Sequence, residues 1–317
     1  MSEKCSSSNK GVFNAVVSWN RQIGQRFYRL GLEFSGAAAN AFAGFKPGQF
    51  VQIDVSGAAV PPAERIPEDL GDAAQREILL RRPFSFANVT AEREKTLAEL
   101  LYCVVGPATV RMTTLSRGNL VSVIGPLGNG FWVPEGKKTA LLVVGGMGAP
   151  PLEHLAKTLT ADRADIQMTA FAGAKTTKQL PFEGRLDKIS QQLGFSLGEF
   201  AKYGVKSMVA TDDGSAGFAG TVTDCLTQWF DSRTDLARDS AIIYACGPEA
   251  MLARVAEIAK EKAIHCQVSM ERRMACGIGV CQSCAVECRV EGSSETVYKL
   301  CCGDGPVFDS REVVFSA

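Results

Sequence analysis

The sequence predicts a multidomain fold: an antiparallel β-barrel, then an α/β domain on a parallel sheet, then a small C-terminal cysteine-rich domain. Three observations predict it. Short strands with glycine and proline between them fill roughly the first 134 residues; strands then alternate with helices; and six of the eleven cysteines fall between Cys276 and Cys302. The expected divisions are 8–134, 135–263 and 264–317, and a chain of 317 residues is long enough for about two or three ordinary domains.

Composition narrows the classes. The chain is 46% hydrophobic and 21% charged, and its 34 Lys and Arg equal its 34 Asp and Glu. No strong field favours nucleic acid or an anionic membrane, so neither is expected as a partner. No apolar run reaches the roughly 18 residues of a membrane helix. The start, MSEKCSSSNK, lacks an apolar signal segment. The expected location is cytoplasmic, where thiols stay reduced and clustered cysteines point to a metal or redox site.

In the first part, GVFNAVVSWN, RFYRLGLEF, GQFVQIDVS, LAELLYCVV and NLVSVIGPLG read as barrel strands. Among them lies RRPFSFANV. Arg82 offers a guanidinium for a pyrophosphate, Phe84 an apolar face, and Ser85 a short hydrogen-bonding group, which together suit a flavin dinucleotide. After the next strand, Gly106 leads into a helix near Thr109, whose free N–H groups suit a second phosphate contact. Residues 56–79 read as a surface insertion beside the flavin strand.

In the second part, TALLVVGG, DIQMTAFAGA, VKSMVATDDG and AIIYACGP read as strands, and LEHLAKTL and EAMLARVAEIAKEK as helices. That alternation means a parallel sheet with crossover helices. Gly145, Gly146 and Gly148 follow the first strand, and Cys246, Gly247 and Pro248 follow a later one. Two such turns at strand C-termini mark a nucleotide crevice, although the full dinucleotide glycine pattern is missing. Lys175 and Lys178 leave NAD and NADP both open.

The tail holds MACGIGVCQSC. Cys276, Cys281 and Cys284 have the C-x4-C-x2-C spacing of a plant-type 2Fe–2S loop rather than paired zinc knuckles. Gly277 and Gly279 permit its tight turns. Cys302 is taken as the fourth ligand, immediately before the G-D-G-P-V-F turn, with its neighbour Cys301 as competitor. Cys288 and the scattered Cys5, Cys103, Cys225, Cys246 and Cys266 read as structural.

RPFS (82–85), GPLGNGF (125–131), TDDGS with GTVTD (211–224) and ERRMACGIGVCQSC…CCGDGPVF (271–308) together resemble one family over nearly the whole chain. It is the ferredoxin–NADP reductase superfamily, and within it the electron-transfer subunits of NAD-dependent, two-subunit dihydroorotate dehydrogenase. The resemblance implies that FAD is held by Arg82, Pro83, Phe84 and Ser85, and by Leu101, Tyr102 and Cys103. The family's Gly-Thr pair falls on Ala108 and Thr109, a departure at the first position. The cluster ligands map to Cys276, Cys281, Cys284 and Cys302. The partner implied is an FMN-containing catalytic subunit, two of each forming a heterotetramer, with electrons passing to NAD. The alternative is a homologous subunit of another oxidoreductase, linked to ferredoxin, hydrogenase or sulfide.

The chemistry needs no protein acid or base, because hydride passes directly between stacked flavin and nicotinamide rings. No catalytic residue is therefore expected. His154 and His265, the only two histidines, read as surface or loop residues.

Overall fold

The computed structural model describes residues 10–183, 187–188, 195–233 and 236–315. Six antiparallel strands close a barrel: β1 (Gly11–Gln22), β2 (Phe27–Ser35), β3 (Phe50–Asp54), β4 (Arg82–Ala91), β5 (Lys95–Cys103) and β6 (Leu120–Leu127). Their order is β1-β2-β5-β4-β3-β6, with β6 returning to β1. Alternation along each strand sends Val17, Leu30, Leu32, Val51, Ile53, Leu100 and Val123 into the interior. Helix α1 (Ala37–Ala43) plugs one end, where Phe42 stacks on Phe34 with ring centroids 4.1 Å apart.

The segment at 56–79 is more than a surface excursion. It includes α2 (Gly71–Ala74) and buries Leu70, Ala74 and Ile78 against the barrel core. It is tied to α3 (Pro107–Met112), because Arg111 donates to the Arg76 carbonyl at 3.1 Å.

The second layer is a seven-stranded sheet. Its strands are β7 (Thr139–Gly145), β8 (Gln167–Ala174), β11 (Lys206–Thr211), β12 (Phe218–Ala219), β13 (Ala241–Cys246), β14 (His265–Ser269) and β17 (Val307–Asp309). The order is β12-β11-β8-β7-β13-β14-β17, parallel except for the β14–β17 pair. A two-residue pair, β9 (Asp187–Lys188) with β10 (Phe195–Ser196), lies outside it. Leu141, Val143, Ile243 and Ala245 face one side of the sheet, and Ala140, Leu142, Val144 and Ile242 the other. Helices α6 (Val222–Asp231) and α7 (Glu249–Glu261) cover the first face, whereas α4 (Ala149–Asp162) and α5 (Gly198–Ala201) cover the second. The GTVTD stretch is the start of α6: Thr221 and Asp224 form a reciprocal capping box. No helix among the described residues is long and apolar enough to cross a membrane.

The C-terminal segment lends β14 and β17 to the sheet, so the cysteine loop is an excursion between two sheet strands. A hairpin of β15 (Ala285–Arg289) and β16 (Thr296–Leu300) completes that excursion. Its turn back is clasped by the barrel. The Asn129 side chain donates to the carbonyls of Asp304 (3.0 Å) and Val307 (2.8 Å) and accepts the Val307 N–H (2.9 Å). GPLGNGF and CGDGPVF are therefore two halves of one contact.

Both histidines depart from the sequence reading. His154 is buried inside α4, stacked 6.1 Å from Phe45, because that helix packs against the barrel as well as the sheet. Burial pushes its pKa down to about 3, so it is neutral in the folded protein. His265 stands on β14, half-buried, with Nε2 3.1 Å from Asp309 Oδ2.

Candidate functional site

A cavity of about 460 Å3 opens where the barrel, the sheet and the C-terminal segment meet. From the barrel it is lined by Arg82, Pro83, Phe84 and Ser85 on β4 and by Leu101, Tyr102 and Cys103 on β5. Ala108 and Thr109, at the start of α3, close that side. The structure thus gathers the nine residues expected at a flavin from three elements.

Two neighbouring arginines have different surroundings. Arg81 is turned onto β6, donating to the Ser122 carbonyl at 2.8 Å and its Oγ at 3.0 Å. Arg82 lines the cavity, with only Nη1 engaged, on the carbonyls of Leu80 (2.6 Å) and Arg81 (3.3 Å). At α3, the Thr109 hydroxyl accepts the N–H groups of Val105 (2.9 Å) and Gly106 (3.1 Å). Val110 N–H is the first to reach back, to the Gly106 carbonyl, so the N–H groups of Ala108 and Thr109 precede the first helical bond. The departure from glycine at Ala108 is accommodated: its side chain is buried among the barrel residues.

On the opposite side, β7 and β13 lie side by side and end together. The chain runs from β7 outward through β8 and β11, then returns to β13 on the other flank, so the strand order reverses here. The glycines serve mutual packing of the two turns. A Cβ on Gly148 would sit 2.0 Å from the Cys246 carbonyl oxygen, and one on Gly145 would meet Met251 Sδ at 2.6 Å. Gly247, at φ 157°, packs its backbone on Gly145. Gly146 alone of this set, at φ 50°, faces open space. Pro248 is the residue before α7, and Cys246 lines the cavity with Met147, Pro150 and Pro151. Those last three, and Phe50, Arg272 and Pro306, are lining residues that the sequence reading did not single out.

The cysteine loop flanks the cavity. Its backbone N–H groups point at its own sulfurs: Gly279 to Cys302 Sγ (3.1 Å), Cys281 and Ile278 to Cys276 Sγ (3.4 and 3.5 Å), and Cys302 to Cys284 Sγ (3.4 Å). This donor set fits an electron-rich iron–sulfur cluster. The Ser283 hydroxyl, 3.1 Å away, draws the Cys281 thiol down to about 6, whereas burial pushes Cys302 up to about 12. A bound metal deprotonates such a thiol outright. Among the described residues, no three His, Cys, Asp or Glu side chains close around a single-ion site. A binuclear cluster needs its thiols further apart than one ion does.

The adjacent pair is separated by geometry. Cys301 Sγ donates to the Met270 carbonyl at 3.2 Å and is buried in the sheet core, while Cys302 Sγ receives the Gly279 N–H in the loop. Cys301→Ser is therefore expected to leave the visible and EPR spectra intact, and Cys302→Ser to bleach or shift them. The reverse pattern in spectra of anaerobically purified variants would assign the ligand to Cys301. Cys288 is buried beside β16, and Cys225 and Cys266 are buried as well.

Fold and site define a class: an oxidoreductase of ferredoxin reductase-like architecture, with an NAD-binding sheet and a loop for an iron–sulfur cluster. Comparison with known proteins agrees. A family described as the iron–sulfur cluster binding domain of dihydroorotate dehydrogenase B matches residues 271–314, and the oxidoreductase NAD-binding domain matches 142–257. The dihydroorotate dehydrogenase B (NAD(+)) electron transfer subunit of Bacillus caldolyticus is 36% identical over 302 residues, covering 94% of this chain and 97% of that one. Its counterpart from Geobacillus thermodenitrificans is 37% identical, covering 94% and 96%. A solved NADH-dependent reduced ferredoxin–NADP oxidoreductase, studied for flavin-based electron bifurcation, superimposes with TM-score 0.69 at 26% identity, over 95% of this chain and 90% of that one. Phthalate dioxygenase reductase shares the fold, with TM-score 0.54 at 15% identity over 92% and 77%.

The chain belongs to the family of dihydroorotate dehydrogenase B electron transfer subunits. Membership decides against the subunit of another oxidoreductase as the better reading.

Proposed function

We propose that this chain carries electrons from the FMN of a dihydroorotate dehydrogenase catalytic subunit to NAD+, within pyrimidine synthesis in the cytoplasm. The assembly is a heterotetramer with two copies of each subunit. One observation carries the reading: a single cavity is lined by the flavin-type strand pair, by Cys246 at the end of β13 and Met147, Pro150 and Pro151 after β7, and by Met270, Arg272 and Met274 on the flank of the cysteine loop. When bound, FAD and a 2Fe–2S cluster interconvert hydride chemistry and one-electron transfer.

In this reading Arg82 fixes the pyrophosphate, and Phe84 and Ser85 hold the ring system. The turns at 145–148 and 246–248 bring NAD against the ring face. Cys276, Cys281, Cys284 and Cys302 hold the cluster. The barrel gives way to the sheet near residue 134, and the cysteine loop leaves the sheet after β14 and rejoins it at β17.

Two measurements test it. The anaerobically purified chain should show flavin bands with a broad visible shoulder; a colourless, zinc-containing protein would end the reading. The complex isolated with its native partner should oxidise dihydroorotate with NAD+.

Arg82→Ala should lose FAD while the fold survives, since a charge-assisted hydrogen bond contributes about 1.5–3 kcal/mol, roughly 10- to 150-fold in affinity. Stoichiometric FAD after dialysis of that variant would reassign the phosphate contact.

A further inference from the structure

Gln52 occupies an unexplained position. It lies in the middle of β3, fully buried, and neither Oε1 nor Nε2 has a hydrogen-bond partner among the described residues. A buried carboxamide left unpaired is costly, and each such group calls for a cause.

Its neighbours supply one. Val51 and Ile53 point into the barrel, so Phe50 and Gln52 point outward from it. Phe50 lines the cavity, as does its cross-strand partner Ser85. Two residues along, Gln52 pairs with Pro83 on β4, another lining residue, and with Ile124 on β6. The same outward face thus meets the flavin-type cavity at one end and the cysteine loop at Gln52. A Cβ on Gly277 would stand only 2.4 Å from Gln52 Nε2 and 2.7 Å from its Cγ. Gly277 follows Cys276 directly and has φ 70°, so the loop closes over the carboxamide at its first thiol. A side chain at that position would separate the two.

We propose that Gln52 donates a hydrogen bond from Nε2 to a sulfur on the Cys276 side of the iron–sulfur cluster, and so tunes the cluster's reduction potential from the strand pair that lines the flavin cavity. The proposal rests on the reading that this loop holds a 2Fe–2S cluster. The chemistry favours Nε2 over Oε1 on the loop side. Thiolate and sulfide sulfurs accept and cannot donate, so an amide N–H is stabilised against them and an amide oxygen is repelled. The donors Ile278, Gly279, Cys281 and Cys302 are all backbone groups of the tail itself. Gln52 would add one from the barrel. A hydrogen bond to cluster sulfur favours the more negative, reduced state and raises the potential.

The test uses the holoprotein, purified anaerobically, in an EPR-monitored redox titration. Gln52→Leu removes the donor and should lower the cluster midpoint by about a tenfold change in the one-electron equilibrium, about 59 mV. Gln52→Met, of similar length and without a donor, should lower the midpoint by a similar amount. The FAD midpoint should stay where it is in both. Protein labelled with side-chain 15N-glutamine should show a 15N hyperfine coupling in pulsed EPR of the reduced cluster, both in the wild type and in Gln282→Gly, which removes the loop's own glutamine at an exposed position with φ 59°. That measurement leaves Gln52 itself in place.

An unmoved cluster midpoint in Gln52→Leu overturns the proposal, as does the absence of 15N coupling in the wild type or in Gln282→Gly. A shift confined to the FAD midpoint also overturns it, by assigning the carboxamide to the flavin. Absence of any 2Fe–2S signal in the reduced wild type removes the cluster reading itself, and the proposal with it. A normal signal with an unmoved midpoint removes only the role of Gln52.

Discussion

The complex reconstituted with Cys281→Ser is expected to lose NAD-dependent dihydroorotate oxidation down to background, while NADH still reduces the bound FAD at the wild-type rate. The asymmetry follows from position. Cys281 is exposed at the end of the loop, beside Ser283, which favours its thiolate form. Serine offers a harder and far more basic oxygen in place of the soft sulfur that iron–sulfur chemistry requires. The cavity that joins β4 and β5 to the end of β13 and to the turn after β7 is lined by none of the four proposed ligands. Nicotinamide can therefore meet flavin with the loop disabled, whereas exchange with the partner subunit cannot proceed. Stopped-flow bleaching of FAD by NADH reads the first step, and steady-state turnover of the complex reads the whole route. Wild-type turnover by a variant shown to lack the cluster would put the loop off the path.

A large stability loss is expected from Arg29→Ala. Arg29 is 2% exposed, on β2, at the contact between the barrel and α4. Its guanidinium donates to Glu99 at 2.5 Å and to Glu153 at 2.9 Å, and lies 3.5 Å from Glu199. Burial opposes its charge, yet Glu153 and Glu99 outweigh this and hold its pKa above the ordinary value. Lys202 is the second cation, 2.9 Å from Glu153. Deleting one partner leaves buried carboxylates uncompensated, which costs about 3–5 kcal/mol. The urea midpoint should fall accordingly at an unchanged slope. A midpoint within about 0.5 kcal/mol of wild type would mean that the carboxylates find other partners.

The network also has a bearing on function. Glu153 lies one turn inside α4, and Pro150 and Pro151 at the start of that helix line the cavity. The ion pair thus fixes the α4 side of the cavity against the barrel side.

Much of this was legible in the sequence because it is local. The spacing of Cys276, Cys281 and Cys284 is dictated by the loop that must present them. RPFS is a single strand segment, and the strand–helix alternation after residue 135 has a period that can be read directly. Cys302 stands immediately before a turn in the sequence, and in the fold the thiols of Cys301 and Cys302 point in different directions. In the sequence the glycines at 145–148 and 247 suggest room for a ligand. Most of that room is taken by the two turns packing on each other, a contact between segments about 100 residues apart.

The sequence by itself determined the order of barrel, sheet and cysteine loop, the strand that faces the cavity and the residues with the spacing of cluster ligands. Each depends on residues near one another in the chain. Tertiary structure alone decided that Asn129 clasps the tail, that Arg29 meets Glu153, that His154 is buried and that Gln52 lies under Gly277. Those contacts join residues up to 225 positions apart, as from Gln52 to Gly277. Local patterning sets which face of a strand or helix turns inward, but which distant face it meets is settled only when barrel, sheet and loop bury their apolar surfaces against each other.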